Sequence, residues 1–213
     1  MQIQREYTDL NKIYPNTILE SENYKIKYVS LTKDQVLREM MSNAREYWLV
    51  RGLKHDFNYV SLIKKGEGVM MSDTPMERNT NRSFVNKANG DVLIFGLGLG
   101  LIVLPLLTDD SIKSIKVVEL HQDLIDMVSP IIKKYDVENK LTIVQGDAFK
   151  YNEVIENGKK FDTIYFDIWI GISGDDYEEQ KTLTRKYAKF LNRENPNYFT
   201  DCWMKSFHKR ELA

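Results

Sequence analysis

The stretch that decides the fold is Asp91-Val92-Leu93-Ile94-Phe95-Gly96-Leu97-Gly98-Leu99-Gly100. Its first half is an apolar run, which is typical of a strand buried on both faces of a sheet. Its second half has glycine at every other position, so the chain can turn tightly and a ligand can lie against bare backbone. A glycine-rich turn after a buried strand indicates a nucleotide-binding α/β fold. The alternative is that these glycines only allow a helix to pack closely on the strand.

Apolar strands alternate with helical stretches along the chain that follows this turn. This rhythm predicts an α/β, Rossmann-like, doubly wound and mainly parallel sheet, covered by helices on both faces. Beyond Asp167 we find only helix-like stretches, over 177–191 and 200–210, so we predict that the sheet is truncated after its fourth core strand. The further strands are predicted over 115–119, 141–144 and 161–167.

The first 90 residues have a different character. Alternating residues over 24–29 predict a strand, Thr32 and Gln35 form a capping box that opens a helix ending near Gly52, and 59–71 reads as a hairpin. We therefore divide the chain into an N-terminal region over 1–90, a ligand-binding core over 91–170 and a C-terminal helical segment over 171–213. We expect the N-terminal strand and hairpin, or a second copy in a homo-oligomer, to cover the exposed edge of the sheet.

Acidic residues follow three of the predicted core strands. Glu119 ends the second strand, where a carboxylate can hold both hydroxyls of a ribose. Asp147 and Ala148 come just after the third, where a carboxylate can accept a hydrogen bond from an adenine amino group. Asp167 ends the fourth and points toward the same crevice if the strands are parallel neighbours. For each of them a solvated carboxylate or a Gly-Asp turn is the alternative interpretation.

Composition excludes several classes of protein. The 30 basic and 31 acidic residues leave no global field that favours nucleic acid or an anionic membrane. The single cysteine, Cys202, excludes an internal disulfide, and the three histidines lack metal-ligand spacing, so we expect no metal site. The apolar stretch over 92–107 is too short for a membrane helix and is interrupted by glycine and proline. With no secretory signal at the N-terminus, we expect a cytoplasmic protein.

The glycine spacing separates two nucleotide-binding motifs. A dinucleotide fingerprint, G-x-G-x-x-G, would need glycine at position 101, where this chain has Leu101. The third glycine is Gly100 instead, which favours the pattern G-x-G-x-G. Together, the four strand ends resemble the class I S-adenosylmethionine-dependent methyltransferase superfamily, and residues 91–169 are most similar to its spermidine-synthase-like branch. This resemblance implies S-adenosylmethionine as cofactor. By the resemblance, the cofactor-binding residues would be Gly96, Gly98 and Gly100 for the methionine part, Glu119 for the ribose, Asp147 and Ala148 for adenine, and Asp167 for the methionine amine or the reacting centre.

The chain departs from the aminopropyltransferases of that branch at two positions. Those enzymes carry aspartate between the second and third glycines and again three residues after the strand-four aspartate, where this chain has Leu99 and Ile170. We therefore predict a methyltransferase of unknown acceptor. A spermidine-synthase-like aminopropyltransferase and a catalytically silent S-adenosylmethionine-binding module are the alternatives. Asp167 is the first catalytic candidate, and Asp73, which shares the polar stretch after the hairpin with Glu77, is the second.

Overall fold

Two separate β-sheets organise the protein. The computed structural model describes residues 4–15, 18–42, 56–171 and 174–205. The strands in these ranges are β1 (Ile18–Glu20), β2 (Tyr24–Leu31), β3 (Phe57–Lys64), β4 (Gly68–Ser72), β5 (Gly90–Phe95), β6 (Ile112–Glu119), β7 (Leu141–Gln145), β8 (Thr163–Phe166) and β9 (Phe199–Cys202). The helices are α1 (Leu10–Ile13), α2 (Lys33–Ser42), α3 (Pro75–Lys87), α4 (Leu104–Leu107), α5 (Gln122–Ile132), α6 (Tyr151–Val154) and α7 (Gly174–Tyr187), with 3-10 turns at Lys133–Tyr135 and Ala188–Phe190.

The second sheet is parallel throughout, with strand order β7-β6-β5-β8-β9. β5 lies at its centre, and its residues from Val92 to Phe95 are completely buried, which explains the apolar run in the sequence. Phe95 stacks on Phe166 of β8 with ring centroids 4.9 Å apart, and Tyr187 of α7 packs edge-on against both rings. The predicted α/β, Rossmann-like parallel sheet is therefore confirmed.

A fifth parallel strand corrects the prediction that the sheet ends after four. β9 pairs with β8 in the register Thr163↔Phe199 to Phe166↔Cys202, at the position where we expected a helix over 200–210. The strand escaped detection because it has only four residues and includes Thr200 and Asp201. Only one side of an edge strand is paired, so it tolerates polar residues that a central strand would not.

The antiparallel N-terminal sheet has the order β1-β2-β3-β4. It contains the predicted strand and hairpin, and the capping box is present: the amide of Thr32 donates to Gln35 Oε1 at 2.8 Å, and the amide of Gln35 donates to Thr32 Oγ1 at 3.3 Å. The predicted end of this helix near Gly52 lies outside the described residues. Helix α3 was not predicted, because its buried face includes the polar residues Glu77 and Asn81 and its hydrophobic periodicity is weak.

The N-terminal sheet packs on the carboxyl end of the parallel sheet. Among the described residues it forms no ladder with β7 or β9, so it does not cover a sheet edge by strand pairing, and coverage of the edge by a second copy stays a prediction. Instead, Met71 of β4 accepts a hydrogen bond from the amide of Leu99 through Sδ at 3.2 Å, and the hydroxyl of Tyr14 donates to the carbonyl of Leu99 at 3.1 Å. The two sheets thus enclose the glycine-rich turn between them.

A buried arginine holds the first described segment in place. Arg5 is 5% exposed and donates to the carbonyls of Val85 and Ala88, to Ser111 Oγ at 2.9 Å and to Asp109 Oδ2 at 2.7 Å. A guanidinium suits this position because its several donors are arranged in a fixed plane. The segment before α1 is thereby tied to α3 and to the loop that precedes β6.

Candidate functional site

A cavity of about 1120 Å³ lies where β5, β6, β7 and β8 end. In parallel α/β sheets, ligands bind outside the carboxyl ends of the strands. Three backbone hydrogen bonds hold these ends side by side, from the amide of Gly96 to the carbonyl of Val118 at 2.9 Å, from Gly146 to Glu119 at 2.9 Å and from Asp167 to Phe95 at 2.8 Å. The predicted site residues on these strand ends therefore meet around one space.

The three glycines of the turn have different surroundings. All three have positive φ, at 96° for Gly96, 50° for Gly98 and 76° for Gly100. Gly96 and Gly98 line the cavity, where a Cβ would overlap the carbonyl oxygen of Asp167 and the Sδ of Met71, respectively. Gly100 is outside the lining and lies against Ile132 of α5. The structure therefore brings two of the predicted cofactor-binding glycines to the cavity, whereas the third allows close packing of α5.

Glu119 holds the turn and faces the cavity at the same time. Its side chain is buried, at 7% exposure, and each carboxylate oxygen accepts a backbone hydrogen bond: Oε2 from Leu97 at 2.9 Å and Oε1 from His121 at 3.0 Å. A carboxylate oxygen has room for a second donor. The group is therefore oriented by the protein and still able to accept hydrogen bonds from a ligand.

The loop after β7 forms another part of the cavity wall. Asp147, Ala148 and Phe149 all line it. Asp147 Oδ1 accepts a hydrogen bond from the amide of Phe149 at 2.8 Å, and the carbonyl of Ala148 accepts one from the hydroxyl of Tyr187 at 2.7 Å. These contacts fix the loop, and the partly exposed ring of Phe149 lies at the rim.

Two acidic side chains from different parts of the chain meet in the cavity wall. Burial raises the pKa of Asp167 to about 7, and burial together with the nearby charge of Asp167 raises the pKa of Glu77 well above its usual range. Glu77 is 6% exposed, and its carboxyl has no hydrogen-bond or ion-pair partner among the residues that the structure describes. Asp167 can therefore exchange a proton near neutral pH, and two neighbouring carboxyls can hold a cationic group.

Asp73, the second catalytic candidate from the sequence, lies outside the cavity lining. Its carboxylate accepts hydrogen bonds from the amide of Val60 at 2.7 Å and from the guanidinium of Arg78 at 3.1 Å. Of the two acidic residues after the hairpin, Glu77 reaches the site, because it lies in the first turn of α3, whereas Asp73 precedes the helix. Asp73 fastens α3 to β3.

Sequence reasoning missed much of the wall opposite the glycine turn. Tyr24 comes from β2, Met70 and Met71 from β4, and Trp203 and Met204 from the segment after β9. Local sequence carried no sign of this, because these residues read as ordinary members of amphipathic elements. Tyr24, Met70 and Met71 reach the cavity because the N-terminal sheet packs over the strand ends, and Trp203 and Met204 reach it because β9 ends beside β8.

The polar groups of the cavity fit an adenine nucleoside. Glycine backbone, a fixed carboxylate acceptor at Glu119, a fixed loop at Asp147 and a buried hydroxyl at Tyr24 supply acceptors and donors within a mostly apolar space. Among the described residues, no three His, Cys, Asp or Glu side chains are grouped as a metal site would require. In the same part of the chain, every helix is too short or too polar to cross a bilayer.

The fold and the cavity define a doubly wound α/β protein with a cavity at the carboxyl ends of its parallel strands. A family model described as the spermine/spermidine synthase domain matches residues 69–193, which is more than half of the chain. The chain therefore belongs to the spermine/spermidine synthase domain family, and the resemblance stated from its motifs is confirmed. No curated protein matches the sequence significantly.

Several solved structures are similar to this chain at low sequence identity. Spermidine synthase from Thermotoga maritima is 15% identical over 82% of this chain and 53% of its own, with a TM-score of 0.48. A dimethyladenosine transferase from Plasmodium falciparum is 22% identical over 62% and 45%, with a TM-score of 0.41. The glycopeptide N-methyltransferase MtfA, complexed with sinefungin, is 21% identical over 54% and 47%, with a TM-score of 0.37. The chain thus spans about half the length of these structures.

Proposed function

We propose that the protein is an S-adenosylmethionine-dependent transferase and that it methylates an acceptor whose identity is unknown. The observation that carries this proposal is the single cavity that brings together the glycine turn, Glu119, the Asp147 loop and the Asp167–Glu77 pair. The first three would hold the nucleoside and methionine parts of the cofactor, and the carboxyl pair would face the acceptor. When bound, S-adenosylmethionine supplies a methyl group that its sulfonium already makes electrophilic.

The chain's own contribution is to orient the acceptor and to take its proton. At neutral pH a carboxyl with a pKa of about 7 is present in both protonation states, so Asp167 can accept a proton from an acceptor as the new bond forms. Glu77 holds the acceptor beside it. The apolar wall formed by Met70, Met76 and Trp203 excludes water from that end of the cavity.

Aminopropyl transfer is the second candidate. The two positions where aminopropyltransferases carry aspartate speak against it, because this chain has the buried Leu99, outside the cavity lining, at one and the half-exposed Ile170 at the other. One observation favours it. Glu77 places a second carboxyl beside Asp167 from another element. This pair would bind an amine without either of the two missing aspartates.

Calorimetry with S-adenosylhomocysteine tests the binding site. We expect the wild type to bind and Glu119→Ala to weaken binding by about tenfold or more, because a hydrogen-bonding carboxylate is lost. Glu138→Ala is the matched control, since Glu138 is exposed and pairs with Lys140 far from the cavity. If the wild type binds neither this ligand nor the decarboxylated cofactor, the proposal is wrong.

Transfer of tritiated methyl from S-adenosylmethionine into a cell lysate tests the reaction. Label incorporated by the wild type supports the methyltransferase. A marked preference for decarboxylated S-adenosylmethionine would support the aminopropyltransferase instead. Binding without transfer of either group would indicate a silent binding module.

A further inference from the structure

The hydroxyl of Tyr24 is a buried polar group without a partner. The residue is 0% exposed and lines the cavity, yet its hydroxyl oxygen has no hydrogen-bond partner in the ranges that the structure describes. Most buried polar side-chain atoms in proteins are hydrogen-bonded, because an unpaired one loses its water without compensation. An unpaired hydroxyl in the wall of a ligand cavity therefore indicates a partner that arrives with the ligand.

The backbone of Tyr24 is fixed to the same edge of the site as Glu119. The amide of Tyr24 donates to Ser21 Oγ at 3.0 Å, and the amide of Ser21 donates to the carbonyl of Tyr24 at 2.9 Å. Ser21 and Asn23 both donate to Asp123 Oδ2, at 3.0 and 3.1 Å, in the first turn of α5. The position of Tyr24 is thus set by the helix that directly follows Glu119 and His121.

The surroundings of the ring make its hydroxyl a hydrogen-bond donor. The ring packs edge-on against His121, with centroids 5.5 Å apart. Burial, with the nearby charges of Glu119, Asp123 and Glu67, raises the pKa of Tyr24 to about 12, so the hydroxyl stays protonated at any ordinary pH. One wall of the cavity therefore offers a fixed donor, Tyr24, near a fixed acceptor, Glu119.

A sugar hydroxyl matches this pair, because it accepts one hydrogen bond and donates another. We propose that Tyr24 donates a hydrogen bond to a ribose hydroxyl of the bound nucleoside, and that this hydroxyl donates to Glu119. The inference rests on the proposed function, since it takes the ligand to be an adenosine derivative. It makes the N-terminal sheet part of the nucleoside site.

Tyr24→Phe tests the contact, with Tyr7→Phe as the matched control. Both tyrosines are buried, but Tyr7 lies outside the cavity and donates to the carbonyl of Arg78 at 2.8 Å. We expect Tyr24→Phe to leave the thermal midpoint of the ligand-free protein unchanged or raised, and to weaken S-adenosylhomocysteine binding about fivefold by calorimetry. Tyr7→Phe should do the reverse, lowering the midpoint and leaving the affinity unchanged.

Competition with deoxynucleosides identifies the ribose hydroxyl that Tyr24 contacts. In competition with S-adenosylhomocysteine, adenosine should lose about fivefold in affinity for Tyr24→Phe. Either 2′-deoxyadenosine or 3′-deoxyadenosine, whichever lacks the contacted hydroxyl, should bind the variant and the wild type equally. An equal loss with all three nucleosides would overturn the ribose contact.

The outcomes separate the two proposals. If the wild type binds S-adenosylhomocysteine and Tyr24→Phe binds it equally well, only the role of Tyr24 is wrong. If Tyr24→Phe lowers the midpoint of the free protein and leaves affinity unchanged, the hydroxyl is structural and the inference is again overturned. If the wild type does not bind at all, both this inference and the proposed function fail.

Discussion

Burial decides the protonation chemistry of Asp167 and Glu77, the two carboxyls that meet in the cavity wall. Asp167 and Glu77 lie on different elements and share a space with few polar neighbours, so both favour the protonated form more than they would in water. Raised pKa values of this kind are common in sites that transfer protons. They also couple the stability of the free protein to pH.

The first prediction concerns that coupling at Asp167. Its pKa is raised from about 4 in the unfolded chain to about 7, so the folded state binds more protons between these values and the free energy of unfolding falls as pH rises through this window. Urea unfolding should show a loss of stability between pH 5 and pH 8, and Asp167→Asn should lessen that loss by about 2 kcal/mol, while Glu77, whose pKa is also raised, contributes to the remainder. The exposed Asp175→Asn should retain the loss, and an equal pH response in all three proteins would contradict this assignment.

The second prediction concerns Glu77. A buried carboxylate without a partner is destabilising, so Glu77→Gln should raise the free energy of unfolding at pH 8 by about 1 kcal/mol. The same change should lower methyl incorporation into lysate about tenfold, because the proposed acceptor loses its contact with the carboxyl group. The exposed Glu153→Gln is the control for both measurements. A drop in stability for Glu77→Gln would mean that the carboxylate is held by a partner.

At the scale of single residues, the sequence predicts the acidic side chains at the carboxyl ends of the core strands. Glu119, Asp147 and Asp167 all reach the cavity because parallel strands end at one edge. The sequence could not separate Asp73 from Glu77, because which of two acidic residues points inward depends on where α3 begins. Nor could it find Tyr24, whose position depends on how one sheet packs on the other.

At the scale of elements, strand β4 and the glycine turn form one packed unit. Met71 accepts the hydrogen bond from the amide of Leu99, and its sulfur occupies the space where a side chain at residue 98 would begin. The turn therefore depends on a strand that belongs to the other sheet. Glycine at 98 is required both by its positive φ and by this contact.

Gly98→Ala, compared with Gly158→Ala, separates those two requirements. Both glycines have positive φ, but a Cβ at Gly158 meets nothing within 4 Å. Gly158→Ala should cost about 1 kcal/mol of backbone strain, and Gly98→Ala should cost about 2 kcal/mol more because Met71 must move. Adding Met71→Ala should recover part of that excess in chemical denaturation. Equal costs for the two alanine variants would show that the contact is unimportant.

Elements with strong local signals are the ones that sequence predicts. The capping box at Thr32, the hairpin and the four apolar core strands are all found, because local propensity and tertiary packing agree there. β9 and α3 are missed because tertiary contacts create them. β9 depends on the neighbouring β8, and α3 buries polar side chains against the cavity.

For the whole molecule, the fourth prediction concerns Arg5. Its contacts join the first described segment to α3 and to the loop that precedes β6, and its partner Asp109 is itself mostly buried. Arg5→Ala should lower the free energy of unfolding by about 3 kcal/mol, because Asp109 and two carbonyls lose their donors.

Arg5→Lys should recover only a small part of that loss, since an ammonium cannot reproduce the planar set of donors. Lys181→Ala, which breaks an exposed pair with Glu178, should change stability by about 0.5 kcal/mol or less in the same urea titration. A loss for Arg5→Ala as small as that for Lys181→Ala would show that the segment is not anchored through this residue.

The contacts between segments that are distant in the sequence have a kinetic consequence. Ser21 meets Asp123, Arg5 meets Asp109 and Trp203 meets Thr80, across sequence separations of 102, 104 and 123 residues. Folding slows when most contacts join distant parts of a chain, because each loop must close before its contact is gained. The hairpin and the central strands can form early, but the cavity needs segments from both ends of the described chain. We therefore expect recovery of ligand binding during refolding to lag behind recovery of secondary structure.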